Sequence, residues 1–133
     1  IAAAHGLAIG WNAQLKGMSS LALLAAGAGG ESEVATAVTG GHGELFVQHF
    51  DGGTLEPTSE LLNLPPKVAA GEVRTALVVG SGAKALVDAR GWGEAREGFP
   101  SAANALALPE ALRSLTSRPI YARAPDARVP EAA

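Results

Sequence analysis

The chain contains no cysteine, which excludes disulfides, thiolate nucleophiles and cysteine-bound metals while leaving the redox compartment open. Aromatic residues make up only 5% of the 133 positions although hydrophobic residues reach 47%. A core must therefore be built from Ala, Leu and Val at close packing distances. Basic residues are too few for a nucleic-acid binder acting alone: 10 Lys and Arg face 13 Asp and Glu, for a net charge of −3 and a pI near 5.6. Phosphate backbones need a concentrated positive surface, so any RNA contact would have to be shared with a partner. Long apolar runs are missing too, since the longest, Leu21 to Gly30, falls well short of the roughly 20 residues a membrane span requires. What remains is one domain's worth of chain, long enough to bury a core without staples.

The centre of that domain is legible between Val34 and Asp51. Val34, Thr36 and Val38 alternate with Ala35 and Ala37, and beyond Gly40-Gly41-His42-Gly43 the residues from Leu45 to Phe50 are again mostly apolar or aromatic. This pattern predicts two strands and a tight turn. Neither strand has a clean polar face, so helices should cover the pair on both sides.

Taken in order, residues 1 to 12 are apolar almost all the way round and predict a helix that is buried or packed against a partner. Gln14 to Met18 reads as a short strand, and Ser19 or Ser20 should cap a helix ending near Ala26 at Gly27 and Gly29-Gly30. After the hairpin, Thr54 to Leu62 is an extended candidate placed at an edge by Pro57. Pro65-Pro66 should open a helix over Lys67 to Ala70, closed by Gly71. Thr75 to Val79 is the most apolar strand of the second half, followed by Gly80-Ser81-Gly82 and a helix over Ala83 to Ala89. Glu94 to Glu97 reads as a short strand. Ser101 caps a helix through Leu106, and Pro109 forces a break before a last turn over Glu110 to Leu115. Residues 118 to 133 hold Pro119, Pro125 and Pro130 and should be an extended tail. The first residue is Ile1 and helical patterning begins at once without a cap, so the sequence reads as a piece of a longer protein.

Signals for chemistry are sparse. Gly80-Ser81-Gly82-Ala83-Lys84-Ala85 matches G-x-G-x-x-A between a strand and a helix, where backbone amides can cradle a phosphate, and makes Gly80 and Gly82 the cofactor-binding candidates. The acidic ribose partner expected about 20 residues on has only Glu97 as a candidate, so an ordinary strand-to-helix turn outweighs this reading. His5, His42 and His49 never fall at the i, i+4 spacing of two imidazoles on one helix face, and no metal or catalytic residue is assigned. Arg113, Arg118, Arg123 and Arg128 recur every five residues among Glu110, Asp126 and Glu131 and read as a solvated face.

Four segments, in order along most of the chain, resemble the bacterial TsaB (YeaZ) proteins. IAAAHGLAIGWNAQLKGMSSLALLA is similar to that family's G-L-A helix leading into a strand-to-helix turn. GGHGELFVQHF resembles its hairpin exit, through Gly43, Glu44 and Phe46. Gly80-Ser81-Gly82-Ala83 resembles its V-G-x-G-A turn, and Arg118 to Asp126 its closing P-x-Y-x-R-x-P-D. The resemblance implies an α/β fold, an actin/Hsp70-like (ribonuclease H-like) ASKHA lobe with a mixed sheet and flanking helices. Residues 1–133 would be the C-terminal lobe, with helix, strand and helix over 1–30 linking to an N-terminal lobe and a tail over 118–133.

The function implied is that of a cytoplasmic, non-catalytic subunit in threonylcarbamoyladenosine modification of tRNA. Its partners would be a TsaD-like transferase and a TsaE-like ATPase, with tRNA met only through the complex and no cofactor of its own. At the positions of the catalytic relatives' H-x-x-x-H metal ligands stand Ser20 and Leu24, and leucine cannot ligate a metal. The hairpin turn departs from the family at Thr39-Gly40-Gly41, where an acidic and a basic residue are usual. Ile1, His5, Leu7, Ile9 and Trp11 are the expected partner-binding residues, and the isolated chain should form a homodimer through them. The alternative, from a different class, is a nucleotide-binding or peptidase-like (glycoprotease) enzyme fragment using the Gly80 turn.

Overall fold

Alternation along the central strand decides the architecture. In the computed structural model, which describes residues 1–30 and 32–121, β1 (Glu33–Thr39) pairs antiparallel with β2 (Leu45–Asp51) from Glu33 opposite Asp51 to Thr39 opposite Leu45. β3 (Leu62–Leu64) extends the antiparallel side beyond β2, while β4 (Leu77–Val79) and β5 (Glu94–Arg96) add in parallel on the other side of β1. The order is β3-β2-β1-β4-β5, with β2 the one strand running against the rest.

Both faces of β1 are buried, as its lack of a polar face predicts. Val34 and Val38 join Phe50, Leu77 and Val79 against α2 (Ser20–Ala28), whereas Ala35 and Ala37 join Val47 and Val78 against α3 (Pro66–Glu72) and α4 (Ala83–Arg90). Thr36 lies among the first group with no exposed surface, and its hydroxyl donates to the Gln48 carbonyl at 3.1 Å, which removes the cost of burying it. α2 is apolar all round because it is covered on both sides. Leu24 and Ala25 belong to the core, and the 3-10 segment Ala102–Ala107 packs on α2, with Asn104 Nδ2 donating to the Leu23 carbonyl at 3.2 Å. Ser19 caps α2 by accepting from the Ala22 amide at 3.1 Å.

Two expected strands are corrected. Gln14 to Met18 contributes only an isolated bridge, Gly17 opposite Leu115, because the segment facing it offers no longer run to pair with. Thr54 to Leu62 is not a strand either. Asp51 Oδ1 accepts from the Gly53 and Thr54 amides at 2.9 and 2.7 Å, Leu55 turns through φ 60 to bury its side chain, and before β3 begins at Leu62 the segment contributes only an isolated bridge, Pro57 opposite Phe50. An aspartate folding back on its own backbone is a turn former. α1 (Ala2–Gly10) and α5 (Glu110–Arg113) lie within their expected spans, and α3 runs through Gly71 to Glu72 instead of stopping there. Arg118 to Tyr121 has no regular structure. The rest of the expected tail lies outside the described residues.

Arg90, at the end of α4, holds the entry to β4. Its guanidinium donates to the carbonyls of Val73, Thr75, Ala76 and Trp92 at 2.8 to 3.1 Å and stacks 3.9 Å from the Trp92 ring centroid. Lysine has neither the fork nor the plane to reproduce this. Arg90→Lys is expected to cost about 1–2 kcal/mol in urea unfolding, the scale of charged hydrogen bonds partly open to water.

Half-buried His49 gives the fold a pH dependence. Burial lowers its pKa below the ordinary 6.5, against a smaller opposing pull from Glu33. The unfolded chain then binds more protons than the folded one, so this contribution is complete above about pH 6.5 and is lost as pH falls below it. The urea midpoint should drop between pH 7.5 and pH 5, and His49→Gln should flatten that slope.

Candidate functional site

Open α/β sheets hold ligands beyond the carboxyl ends of their parallel strands, and there the structure places the Gly80-Ser81-Gly82 turn, between β4 and α4. Its glycines have a packing explanation. Gly80 adopts φ +128, and a Cβ on it would overlap the carbonyl oxygen of Ala37; a Cβ on Gly82 would come within 2.7 Å of Leu45 Cδ2. The turn lies directly on the end of β1, and at Gly80 only glycine fits.

Three of the amides a phosphate could use are already engaged. Gly80 N–H donates to the Arg96 carbonyl at 3.0 Å, Gly82 N–H to Ala37 at 2.9 Å and Ala83 N–H to Gly80 at 3.1 Å. Ser81 Oγ accepts from the Thr39 amide at 3.2 Å, and Lys84 Nζ pairs with Asp88 at 2.6 Å on the exposed side of α4. Chemically the arrangement ties β1 to α4. The G-x-G-x-x-A match arises from that tie.

The three histidines sit on separate elements, His5 in α1, His42 in the hairpin turn and His49 in β2. Among the described residues no group of three or more His, Asp or Glu could hold a metal ion. Leu24 is buried in the core and Ser20 is exposed at the start of α2. Glu44, part of the hairpin-exit signature, accepts from Asn63 Nδ2 at 2.7 Å and so ties the hairpin to β3.

The expected partner residues lie on an exposed apolar helix. α1 buries none of its residues, and Ile1, Leu7, Ile9 and Trp11 are 63, 51, 81 and 72% exposed. His5 turns back, with Nε2 lying 3.2 Å from Ser117 Oγ and 3.4 Å from the Ser117 carbonyl. Sequence reading missed what lies beside them. Two adjoining clefts of about 500 and 560 Å³ share Ile1, Met18, Arg118, Pro119 and Ile120 as lining. Ile120 is itself 71% exposed. These residues come from the two ends of the chain, and no local pattern announces their meeting.

If Gly80 and Gly82 serve packing, Gly80→Ala should destabilise by roughly 2 kcal/mol or more, the scale of overpacking added to backbone strain. Gly82→Ala should cost less, because the tip of Leu45 can shift. Titration of the parent chain with ATP and Mg²⁺ should give little or no heat of binding. Saturable binding in the low micromolar range would restore the nucleotide reading.

No family model and no curated protein matches the chain. Solved structures do. An uncharacterised protein from Pseudomonas aeruginosa with similarity to the peptidase YeaZ superposes with a TM-score of 0.71 at 21% identity, over 92% of this chain and 65% of its own length. YeaZ from Pseudomonas aeruginosa superposes with a TM-score of 0.63 at 22% identity, over 80% of this chain and 55% of its own. The chain spans less than two thirds of the length of either structure. The five-stranded mixed sheet with helices on both faces is the fold of these YeaZ structures, the α/β fold expected from the four sequence segments.

Proposed function

We propose that this chain is the C-terminal lobe of a TsaB-like protein and serves as a non-catalytic subunit of the tRNA threonylcarbamoyladenosine modification machinery. In this reading it partners and activates a TsaD-like transferase, works beside a TsaE-like ATPase, meets tRNA only in their company and acts in the cytoplasm. The observation that carries it is the pairing of a YeaZ-type fold with an apolar helix, α1, left exposed on its surface. Supporting it, the glycine turn that an enzyme reading would use is occupied by its own protein contacts. Among the described residues no helix is long and apolar enough to cross a membrane.

Leu7 and Trp11 at this exposure, on a helix whose other residues are mostly small, suit close helix packing, while Ile9 lies on the opposite side. Leu7 and Trp11 are four residues apart and share a face. We expect the chain to bind a TsaD-like transferase with a Kd of about micromolar or tighter, and Trp11→Asp to weaken that binding at least about tenfold, some 1.4 kcal/mol. Calorimetry with both purified proteins measures it. Absence of binding by the parent chain would overturn the partnership.

Without a partner the same face should pair with a second copy in a symmetric dimer. Sedimentation at tens of micromolar, an order typical of weak association, should show a dimer that Trp11→Asp shifts toward monomer. A parent chain that is monomeric there would exclude self-association through α1.

A further inference from the structure

The attachment of α1 to the rest of the molecule is unusually slight. The helix buries no side chain and makes no extensive contact with any other helix or strand. Among the described residues, its side-chain link to the body is the exposed contact between His5 and Ser117. Beyond it, Trp11 to Gln14 is exposed and Asn12 has φ 50. The chain rejoins the body at Gly17, whose amide donates to the Leu115 carbonyl at 2.7 Å and whose carbonyl accepts from the Leu115 amide at 3.0 Å. Close by, Lys16 Nζ reaches Ser114 Oγ at 3.4 Å and the Ser19 amide donates to Leu112 at 3.3 Å. Every one of these bonds ends in the single segment from Leu112 to Ser117.

Gly17 is required at this joint, because a Cβ there would sit 2.7 Å from the Thr116 carbonyl oxygen. The clefts that share Ile1 lie beside the joint, and the first also has Ala4 in its wall. A helix with no buried residue, joined to the body by a two-bond bridge and facing open volume, belongs to the low-stability end of local opening.

We propose that α1 is a swinging arm whose joint is the Gly17–Leu115 bridge and whose latch is the His5–Ser117 contact. Movement of the arm opens or closes the cleft under Ile1 and Ala4. The latch is a single exposed contact, so little beyond the bridge holds the arm in one position. This inference stands on the attachment geometry and does not depend on which partner, if any, α1 binds.

Because the chain has no cysteine, spin labels can be placed without background. One label pair, at Ala8→Cys and Glu72→Cys, spans arm and body. A second pair, at Thr58→Cys and Glu72→Cys, lies within the body. Distances are measured by double electron–electron resonance on the full chain carrying Trp11→Asp, so that no second copy holds α1, diluted in excess unlabelled Trp11→Asp chain so that pairs between molecules do not contribute. The body pair should give one narrow distribution and the arm pair a broad or two-component one. Ser117→Ala should shift the weights of the arm components severalfold without moving the body pair, and Gly17→Ala should displace them. An arm distribution as narrow as the body pair and unchanged by Ser117→Ala would overturn the proposal, whether or not Gly17→Ala folds.

Discussion

The end of β1 is the constraint on which the rest of the sheet depends. The Ala37 carbonyl accepts the Gly82 amide while its oxygen leaves no room for a Cβ on Gly80. Chain leaving β4 must therefore cross close over β1 before α4 can begin. That crossing seats Ala83 and Leu86 against Ala35 and Ala37, where larger side chains on β1 would push the helix away. On the opposite face Val34 and Val38 pack in one cluster with the leucines of α2. Small residues on one face and branched ones on the other are the same fact seen from two sides.

Arg90 and Arg96 extend this logic to the far side of the sheet. β4 and β5 each have only three residues, too few to hold their positions by ladder bonds alone. Arg90 collects the carbonyls ahead of β4, and Arg96 Nη1 donates to the Ala28 carbonyl at the end of α2 at 2.8 Å. Arg90 directs its guanidinium wholly to backbone carbonyls, while Arg96 divides its own between the Ala28 carbonyl and the Glu94 carboxylate at 2.9 Å. Both forks reach backbone acceptors, which explains why an acidic chain still needs them at these edges.

What was legible in the sequence was what local periodicity controls. The hairpin, the two-sided cover of β1, the Ser19 cap and the β4–turn–α4 unit all follow from spacing within about ten residues. Thr54 to Leu62 was misread because its apolar and β-branched residues were weighed without Asp51, whose side chain competes for the amides that follow it. The Gly80 turn was read as a possible phosphate site because a glycine that avoids a neighbouring carbonyl and a glycine that admits a phosphate look alike in sequence. Only the position of Ala37 distinguishes them. The clefts beside α1 were invisible for a simpler reason, since the residues they share come from the two ends of the chain.

The exposed face of α1 bears on function through what it does not contain. A helix meant to stay in water carries charge on at least one side, yet Ala2 to Gly10 has no acidic or basic residue besides His5, and His5 is turned toward Ser117. Polar solvation of this helix is therefore poor in any arm position, and covering it is favoured whichever surface does so. Its glycines and alanines set the kind of cover: they give low relief, which accepts another helix or sheet at close range more readily than a small ligand that needs a walled pocket. A surface of that shape fits a binding subunit better than a catalytic one, and it is the physical content behind the scaffold role proposed for the chain.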